Sequence, residues 1–379
     1  MTAMSNEDIF GDIRPFNNNE APAYFARLAR EPELADALAV IKMPSLRRFL
    51  PSFSRWLASL WIHRQARSLR TVEDLQNLIA PELAKLIESS AQFSVSGLEH
   101  LPEDRAFVLI SNHRDIVMDP ALTNYALHAA GRSTVSIAIG NNLLRKPWIA
   151  WLMRLNKSFI VRRDVSGPRE LLAASQHLSC YIRQMVATNE SSIWIAQREG
   201  RAKDGCDATE PAVIKMLSLS RDRTTESAAD VLAELCIIPV AISYELDPCD
   251  GLKAAELAQG PSYQKSEFED VRSIAVGISG KKGSIHLTFG EPITESTDVP
   301  SVVAQIDDQI RSAYVLWGTN QWAWEALHQR SLPETLTVRA GQSSKQAFLD
   351  RIAAYPTALQ PVILAMYANP VTSALSGGQ

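Results

Sequence analysis

Ala106-Phe107-Val108-Leu109-Ile110-Ser111-Asn112-His113-Arg114-Asp115-Ile116-Val117-Met118-Asp119-Pro120 is the stretch on which the fold turns. Ala106–Ile110 is an apolar run too short for a helix of its own. It stops at a polar turn, and Pro120 then opens a helical stretch to Ala130. A short apolar run bounded by turn residues reads as a buried strand, and proline is at home in a first helical turn. The same unit recurs on both sides. Gln92–Val95, Thr134–Ile139, Ser158–Arg163, Ser192–Ala196 and Leu235–Tyr244 are apolar or β-branched runs. Pro120–Ala130, Leu143–Leu155, Pro168–Ala187 and Pro211–Leu219 are helical stretches between them. Strands alternating with helices predict an α/β fold with a central sheet flanked by helices. Val271–Ile278 and Ser284–Phe289 flank Gly280-Lys281-Lys282-Gly283 and predict a hairpin, which makes the sheet mixed.

Outward from this middle, both ends read as helical. Residues 1–18 form a polar arm and Ala21–Ile41 a helix. From Pro44, the positions Leu46, Phe49, Leu50, Phe53, Trp56, Leu57, Leu60 and Trp61 fall on one helical face, with arginines on the others and Pro51 as a break. Thr71–Ser89 is a further helix with Thr71 as its N-cap and Asp74 three residues on. From Val299 the chain is helical, ending in a frayed polar tail, Ser373–Gln379. The division expected is a helical region over 1–90, an α/β domain over 91–295 and a helical region over 296–379. A length of 379 residues is room enough for that.

The chain is 46% hydrophobic, yet its longest clean apolar runs are Pro147–Met153, Leu235–Ile242 and Pro361–Ala368. None approaches the roughly 18 residues of a spanning helix. Met1–Asn19 lacks the apolar stretch of a signal peptide. Cys180, Cys206, Cys236 and Cys249 include no close pair, so neither a disulfide framework nor a zinc site is expected. The net charge of −4 excludes a polycation built for nucleic acid. It hides a segregation: Lys42–Arg70 holds seven basic residues and Asn141–Arg163 six, neither with an acid, which leaves −17 on the rest. Two basic segments on an acidic body point to anionic partners.

Three islands follow strands, where α/β sheets place their ligands. The first is Ser111–Pro120, with His113 between carboxylates at Asp115 and Asp119. A histidine oriented by a carboxylate is the minimal general-base unit. The second is Arg162-Arg163-Asp164 at the end of a strand, where guanidinium groups suit a phosphate. The third is Gln197-Arg198-Glu199-Gly200-Arg201-Ala202-Lys203, where Gly200 permits close backbone approach and Arg201 and Lys203 converge on an anion. Taken alone, each also fits a structural reading: a strand-end histidine, a solvated strand terminus, a polar surface loop.

In order and spacing the islands resemble the glycerophosphate/lysophosphatidate acyltransferase family: a His and an Asp, a basic strand end, a Glu-Gly-Arg turn, and a strand carrying a proline, here Ile237-Ile238-Pro239-Val240-Ala241. The resemblance covers about Ser94 to Ile293. In the family four residues separate His and Asp, which would fall on Met118. Asp119 with Pro120 looks like that acidic position after one insertion, and Asp115 is the alternative partner. The third motif departs from the Pro-Glu-Gly-Thr-Arg of the lysophosphatidate branch. Arg201-x-Lys203 is closer to the glycerol-3-phosphate branch.

The resemblance implies transfer of an acyl group from a thioester, acyl-CoA or acyl carrier protein, to a glycerophosphate-type hydroxyl, as in phospholipid biosynthesis. His113 and Asp119 would be catalytic; Arg162, Arg163, Glu199, Gly200, Arg201 and Lys203 would bind substrate. No cofactor beyond the thioester co-substrate is implied, and no metal. The acceptor would be lysophosphatidate, glycerol-3-phosphate or another lyso-phospholipid. The expected location is peripheral, at the cytoplasmic face of the inner membrane, with the basic segment Pro44–Arg70 either on an anionic bilayer or packed as core. A non-catalytic lipid- or carrier-binding protein of the same fold is the alternative. An esterase lacks its Gly-x-Ser-x-Gly elbow here. The phosphate-loop look of Gly277–Gly283 lacks the glycine and the hydroxyl residue such a loop requires.

Overall fold

The computed structural model describes residues 8–264, 266, 269–294 and 298–376. In chain order it contains α1 (Ala21–Ala29), α2 (Pro32–Lys42), α3 (Pro44–Phe49), α4 (Pro51–Ser68), α5 (Val72–Ser90), β1 (Ala91–Ser96), β2 (Val108–Ser111), α6 (Met118–Ala129), β3 (Ser136–Gly140), α7 (Pro147–Leu155), β4 (Ser158–Val161), α8 (Pro168–Ala187) and β5 (Ile193–Ala196). It continues with α9 (Pro211–Leu217), α10 (Ala228–Glu234), β6 (Ile237–Tyr244), α11 (Asp250–Gln259), α12 (Glu269–Ser279), β7 (Gly283–Phe289), α13 (Val299–Ala313), β8 (Leu316–Trp317), α14 (Gly318–His328), β9 (Val338–Arg339), α15 (Lys345–Ala353) and α16 (Gln360–Ser376). The chain divides into two compact units: residues 1–82 with 136–174, and residues 83–135 with 175–379.

The larger unit is built on strands in the order β1-β7-β6-β2-β5. β2 runs parallel to both β5 and β6, and β1 parallel to β7, whereas β6 and β7 are antiparallel. The sheet is therefore mixed. All four residues of β2 and all eight of β6 are buried, which is why both read as unbroken apolar runs. The antiparallel pair is not the hairpin expected from sequence. Val271–Ile278 lies in α12, and β7 pairs with β6 instead. The alternation Ile274, Val276, Ile278 mimicked a strand. The buried positions are Ser273 and Gly277, four apart on one helical face. Lys282 ends this helix: its buried Nζ donates to the carbonyls of Ile278 (3.1 Å) and Gly280 (2.8 Å). A lysine on exposed carbonyls at a helix C-terminus is the opposite of a phosphate loop.

The C-terminal helices belong to this unit. Trp324, Phe348, Ile363 and Val371 form their core. Asp250, fully buried at the start of α11, accepts from Arg351 Nε (2.9 Å), Tyr355 OH (2.6 Å) and Tyr367 OH (3.0 Å), tying α15 and α16 to α11. α16 runs on to Ser376, so the tail expected from Ser373 is helical as far as it is described; 377–379 lie outside the described residues.

The smaller unit holds α1–α4, α7 and the parallel pair β3–β4, with parts of α5 and α8. The single helix expected over Ala21–Ile41 is two, because Pro32 cannot continue α1 and instead opens α2. The stretch expected as a polar arm buries Phe10, Ile13 and Phe16. Phe16 joins Phe25, Leu28, Leu75 and Leu155 in a core that Trp148 and Trp151 border. Pro51 divides α3 from α4. Thr71 caps α5 reciprocally: its Oγ1 accepts from Asp74 N (3.1 Å), and Asp74 Oδ2 accepts from Thr71 N (2.9 Å). The β4 strand ends at Val161, before the arginines.

α4 packs inward through small residues. Ala58 and Ile62 meet Ala29, Ala35 and Ala39, which lets α1, α2 and α4 approach closely. Its large apolar side chains face the other way. Phe53, Trp56, Leu60 and Trp61, with Phe49 at the end of α3 and Leu50 between the helices, are between 43% and 75% exposed, so most of this stripe is not packed as core. Among the described residues no helix is long and apolar enough to cross a membrane.

Candidate active site

The site of the larger unit begins where β2 ends. Asn112 fixes the exit. Its Oδ1 accepts from Ile242 N (2.8 Å) and its Nδ2 donates to Ile242 O (3.1 Å), so the side chain extends the sheet by one backbone-like pair with β6. The chain then turns tightly into α6. Asp115 Oδ1 accepts from Val117 N (3.0 Å) and Met118 N (2.9 Å) at the entry to that helix. Asp119 sits in the first turn of α6, fully buried.

Asp119 receives four donors. Its Oδ2 takes the backbone N–H of Arg114 (2.6 Å) and of Asp115 (2.9 Å) and lies 2.8 Å from His113 Nδ1. Its Oδ1 takes the hydroxyl of Tyr244 at 2.7 Å. With the carboxylate at Nδ1, the proton of neutral His113 sits on that nitrogen and Nε2 keeps its lone pair. The structure thus brings Asp119, not Asp115, to His113. Burial pushes the Asp115 carboxyl above its usual range, and the neighbouring Asp119 charge adds to this. Asp115 also lies against α12: a side-chain carbon added at Gly277 would stand 2.0 Å from its Oδ2.

The His113 loop is tied down from three sides. Gln197 N donates to Ser111 O (2.8 Å), Ala202 N to His113 O (2.8 Å), and the buried Lys253 Nζ to Arg114 O (2.7 Å). Lys253 also pairs with Asp247. Burial raises the Asp247 carboxyl, but the Lys253 charge and hydrogen bond outweigh it and hold the group below its usual range. Arg114 pairs with Asp207 at 2.6 Å. Trp194 of β5 meets the His113 ring edge to face, centroids 5.7 Å apart.

The turn after β5 carries the third island. Gly200 has φ +72° with open space around it, so its left-handed backbone, not close approach, calls for glycine. Arg201 is 9% exposed, and its buried Nη1 has no hydrogen-bond partner among the described residues. Both polar atoms of the fully buried Gln197 side chain are in the same position. Unmet polar groups packed at one loop mark a place for a polar ligand or water. Lys203 is ion-paired with Glu256 of α11, and Glu199 is exposed. Arg162 and Arg163 are exposed in the smaller unit, where Arg163 N donates to Asn141 Oδ1 (3.0 Å).

Residues 92–243, which span β2, α6, β5 and the turn after it, match the family model described as Acyltransferase. Over these residues the chain is similar to the acyltransferase family. Among solved structures, the chain is similar to the 1-acyl-sn-glycerophosphate (LPA) acyltransferase PlsC from Thermotoga maritima, at 16% identity and a TM-score of 0.34, covering 76% of this chain and 93% of that one. No curated protein matches the chain. The matched residues take in His113, Asp119 and the Glu199–Lys203 turn, together with Arg162 and Arg163.

Sequence reasoning missed Tyr244, Asp247, Lys253 and Asp207. Tyr244 carried one usable signal: it is a hydroxyl-bearing residue at the C-terminal end of an otherwise apolar strand, the end at which this sheet gathers its chemistry.

Proposed function

We propose that the protein transfers a fatty acyl group from a thioester, acyl-CoA or acyl carrier protein, to a hydroxyl of a glycerophosphate-type acceptor, lysophosphatidate or glycerol-3-phosphate. The observation that carries this reading is the 2.8 Å pair of His113 Nδ1 with buried Asp119 inside the stretch that is similar to the acyltransferase family. The pair leaves Nε2 to take the acceptor's hydroxyl proton while Asp119 holds the ring and supports the imidazolium. The freed oxygen attacks the thioester carbonyl. The tetrahedral intermediate then collapses, the ester bond forms, the carbon–sulfur bond breaks, and the leaving thiolate takes the proton back from His113. No enzyme nucleophile enters.

Arg201 is the first anchor for the acceptor phosphate, because it brings an unpartnered buried donor. Lys203 joins it by exchanging Glu256 for the ligand. Gly200 shapes that turn, and Glu199 orients a substrate hydroxyl. Phosphate binding of this kind turns affinity into alignment of the hydroxyl. The enzyme works on a bilayer as a peripheral protein of the cytoplasmic membrane face. The support is the exposed row Phe49, Phe53, Trp56 and Trp61 beside exposed arginines such as Arg48 and Arg55.

The test crosses both donors with glycerol-3-phosphate, lysophosphatidate and other lyso-lipids in a radiolabelled transfer assay. Ester formation that disappears in His113→Ala is the expected result. No transfer with any pair, or transfer that survives His113→Ala, overturns the reading.

A further inference from the structure

We infer that Tyr244 is a positioning residue for the His113–Asp119 pair: its hydroxyl holds the carboxylate in the orientation, and at the charge density, that the histidine needs. This rests on the acyltransferase reading of that pair. Tyr244 ends β6 and is 6% exposed, and its phenol oxygen lies 2.7 Å from Asp119 Oδ1. The other three donors, His113 Nδ1 and the amides of Arg114 and Asp115, all meet Oδ2. Three donors crowd one oxygen, so the carboxylate is pinned against rotation about its Cβ–Cγ bond by what meets the second oxygen. A fully buried carboxylate oxygen stripped of its donor also lacks water to replace it.

The neighbours define what else acts on the pair. His113 and Asp115 belong to the loop before α6. Arg114 is neutralised by Asp207, Asp247 after β6 by Lys253 of α11, and Tyr314 follows α13. Burial first, and then the Asp119 and Asp115 charges, push the Tyr244 phenol well above its usual range, so it stays a donor at working pH. A donor on Oδ1 draws charge away from Oδ2. Removing it leaves Asp119 a stronger acceptor and favours the imidazolium form of His113. It also frees the carboxylate to swing.

Two variants test this. Tyr244→Phe keeps the ring and deletes the hydroxyl. Expected are a fall in kcat of about tenfold or more, the loss of one hydrogen bond to a charged group, little change in KM, and an acid limb of the pH–rate profile moved to higher pH. Tyrosine replaced at 244 by 3-fluorotyrosine is a more acidic donor and moves the limb the other way. The same opposite shifts are read directly from the His113 ring by NMR titration, in protein whose melting shows it folded. That readout needs no turnover, so it separates failure of this inference from failure of the acyltransferase reading. If His113 titrates alike in wild type, Tyr244→Phe and the fluorotyrosine protein, the inference is overturned. It is equally overturned if both replacements shift it in the same direction.

Discussion

His113 and His286 both belong to the larger unit, and each has Nδ1 within hydrogen-bond distance of a side-chain oxygen. For His113 that oxygen is the carboxylate of Asp119 at 2.8 Å. For His286, in the middle of β7, it is the hydroxyl of Ser94 at 2.7 Å, and Ser96 Oγ meets Nε2 at 2.9 Å. Hydroxyls satisfy a neutral imidazole at both nitrogens but bring no charge to stabilise a protonated one. Burial, with Arg339 nearby, pushes His286 down to about 4. His113 instead has a buried anion on one nitrogen and leaves the other for chemistry. The same side chain meets only hydroxyls inside a strand and a carboxylate at a strand end, and on the proposed function that partner atom is what makes His113 a base.

The strongest way to break this contrast is to remove each histidine in turn. Loss of a general base costs about 100- to 10,000-fold in rate, so His113→Ala should lose that much kcat with its melting transition retained. His286→Gln should leave turnover nearly intact. Equal losses would mean that the sheet, not the carboxylate, distinguishes them.

The second contrast is in pH. Because the folded protein holds His286 neutral down to about 4, the unfolded chain binds the extra proton between about 6.5 and that value. Stability is therefore fully present above about pH 6.5 and is lost as pH falls toward 4, by about 3 kcal/mol from this group. Urea titrations across that range measure it, and His286→Gln should flatten this part of the curve. An unchanged slope would show His286 protonated in the fold, and the comparison with His113 would lose its basis.

A parallel comparison holds between the faces of α4. Ser54, Ala58 and Ile62 are buried, while Phe53, Trp56 and Leu60 are exposed. Apolar side chains left largely in water contribute little to its stability. The triple variant Phe53→Ser, Trp56→Ser, Leu60→Ser should stay within about 0.5 kcal/mol of wild-type stability. It should lose about tenfold or more in sedimentation with anionic vesicles, given about 25 cal/mol for each Å² of apolar surface withdrawn from water. Salt should weaken the wild-type binding, since Arg48 and Arg55 are exposed beside the row. Binding that ignores both the variant and salt would assign the surface another use.

Much of this was legible because strand ends announce themselves. The apolar runs of β2, β5 and β6 stop where His113, the Gln197–Lys203 turn and Tyr244 begin. The choice of Asp119 over Asp115 was open in the sequence, since both stand near His113 along the chain. It depends on the turn into α6: Asp115 spends its Oδ1 on the amides of Val117 and of Met118, the first residue of that helix, and the turn carries Asp119 to the imidazole. Tyr244 stayed hidden because it lies 125 residues from its partner and meets it only through the β2–β6 register. The α12 misreading has a physical source too. Small residues at Ser273 and Gly277, not large apolar ones, face the protein, so the helical period was faint and the chance alternation dominated.

Glycine gives the finest test of what sequence can say. Gly277 is needed for room, with Asp115 Oδ2 where a side chain would start, whereas Gly200 has open space and needs only its positive φ. A left-handed backbone costs a residue with a side chain about 1–2 kcal/mol. Gly200→Ala should therefore strain the turn that presents Arg201 without crowding anything. The expected signature is a higher KM for the phosphate-bearing acceptor, little change in kcat at saturation, and a small fall in melting temperature. Gly200→Asn should recover part of the loss, because asparagine tolerates that conformation better than alanine. If alanine and asparagine behave alike, the backbone conformation is not what holds Arg201, and the turn's role passes to its packing under Ala202, whose amide bonds the carbonyl of His113.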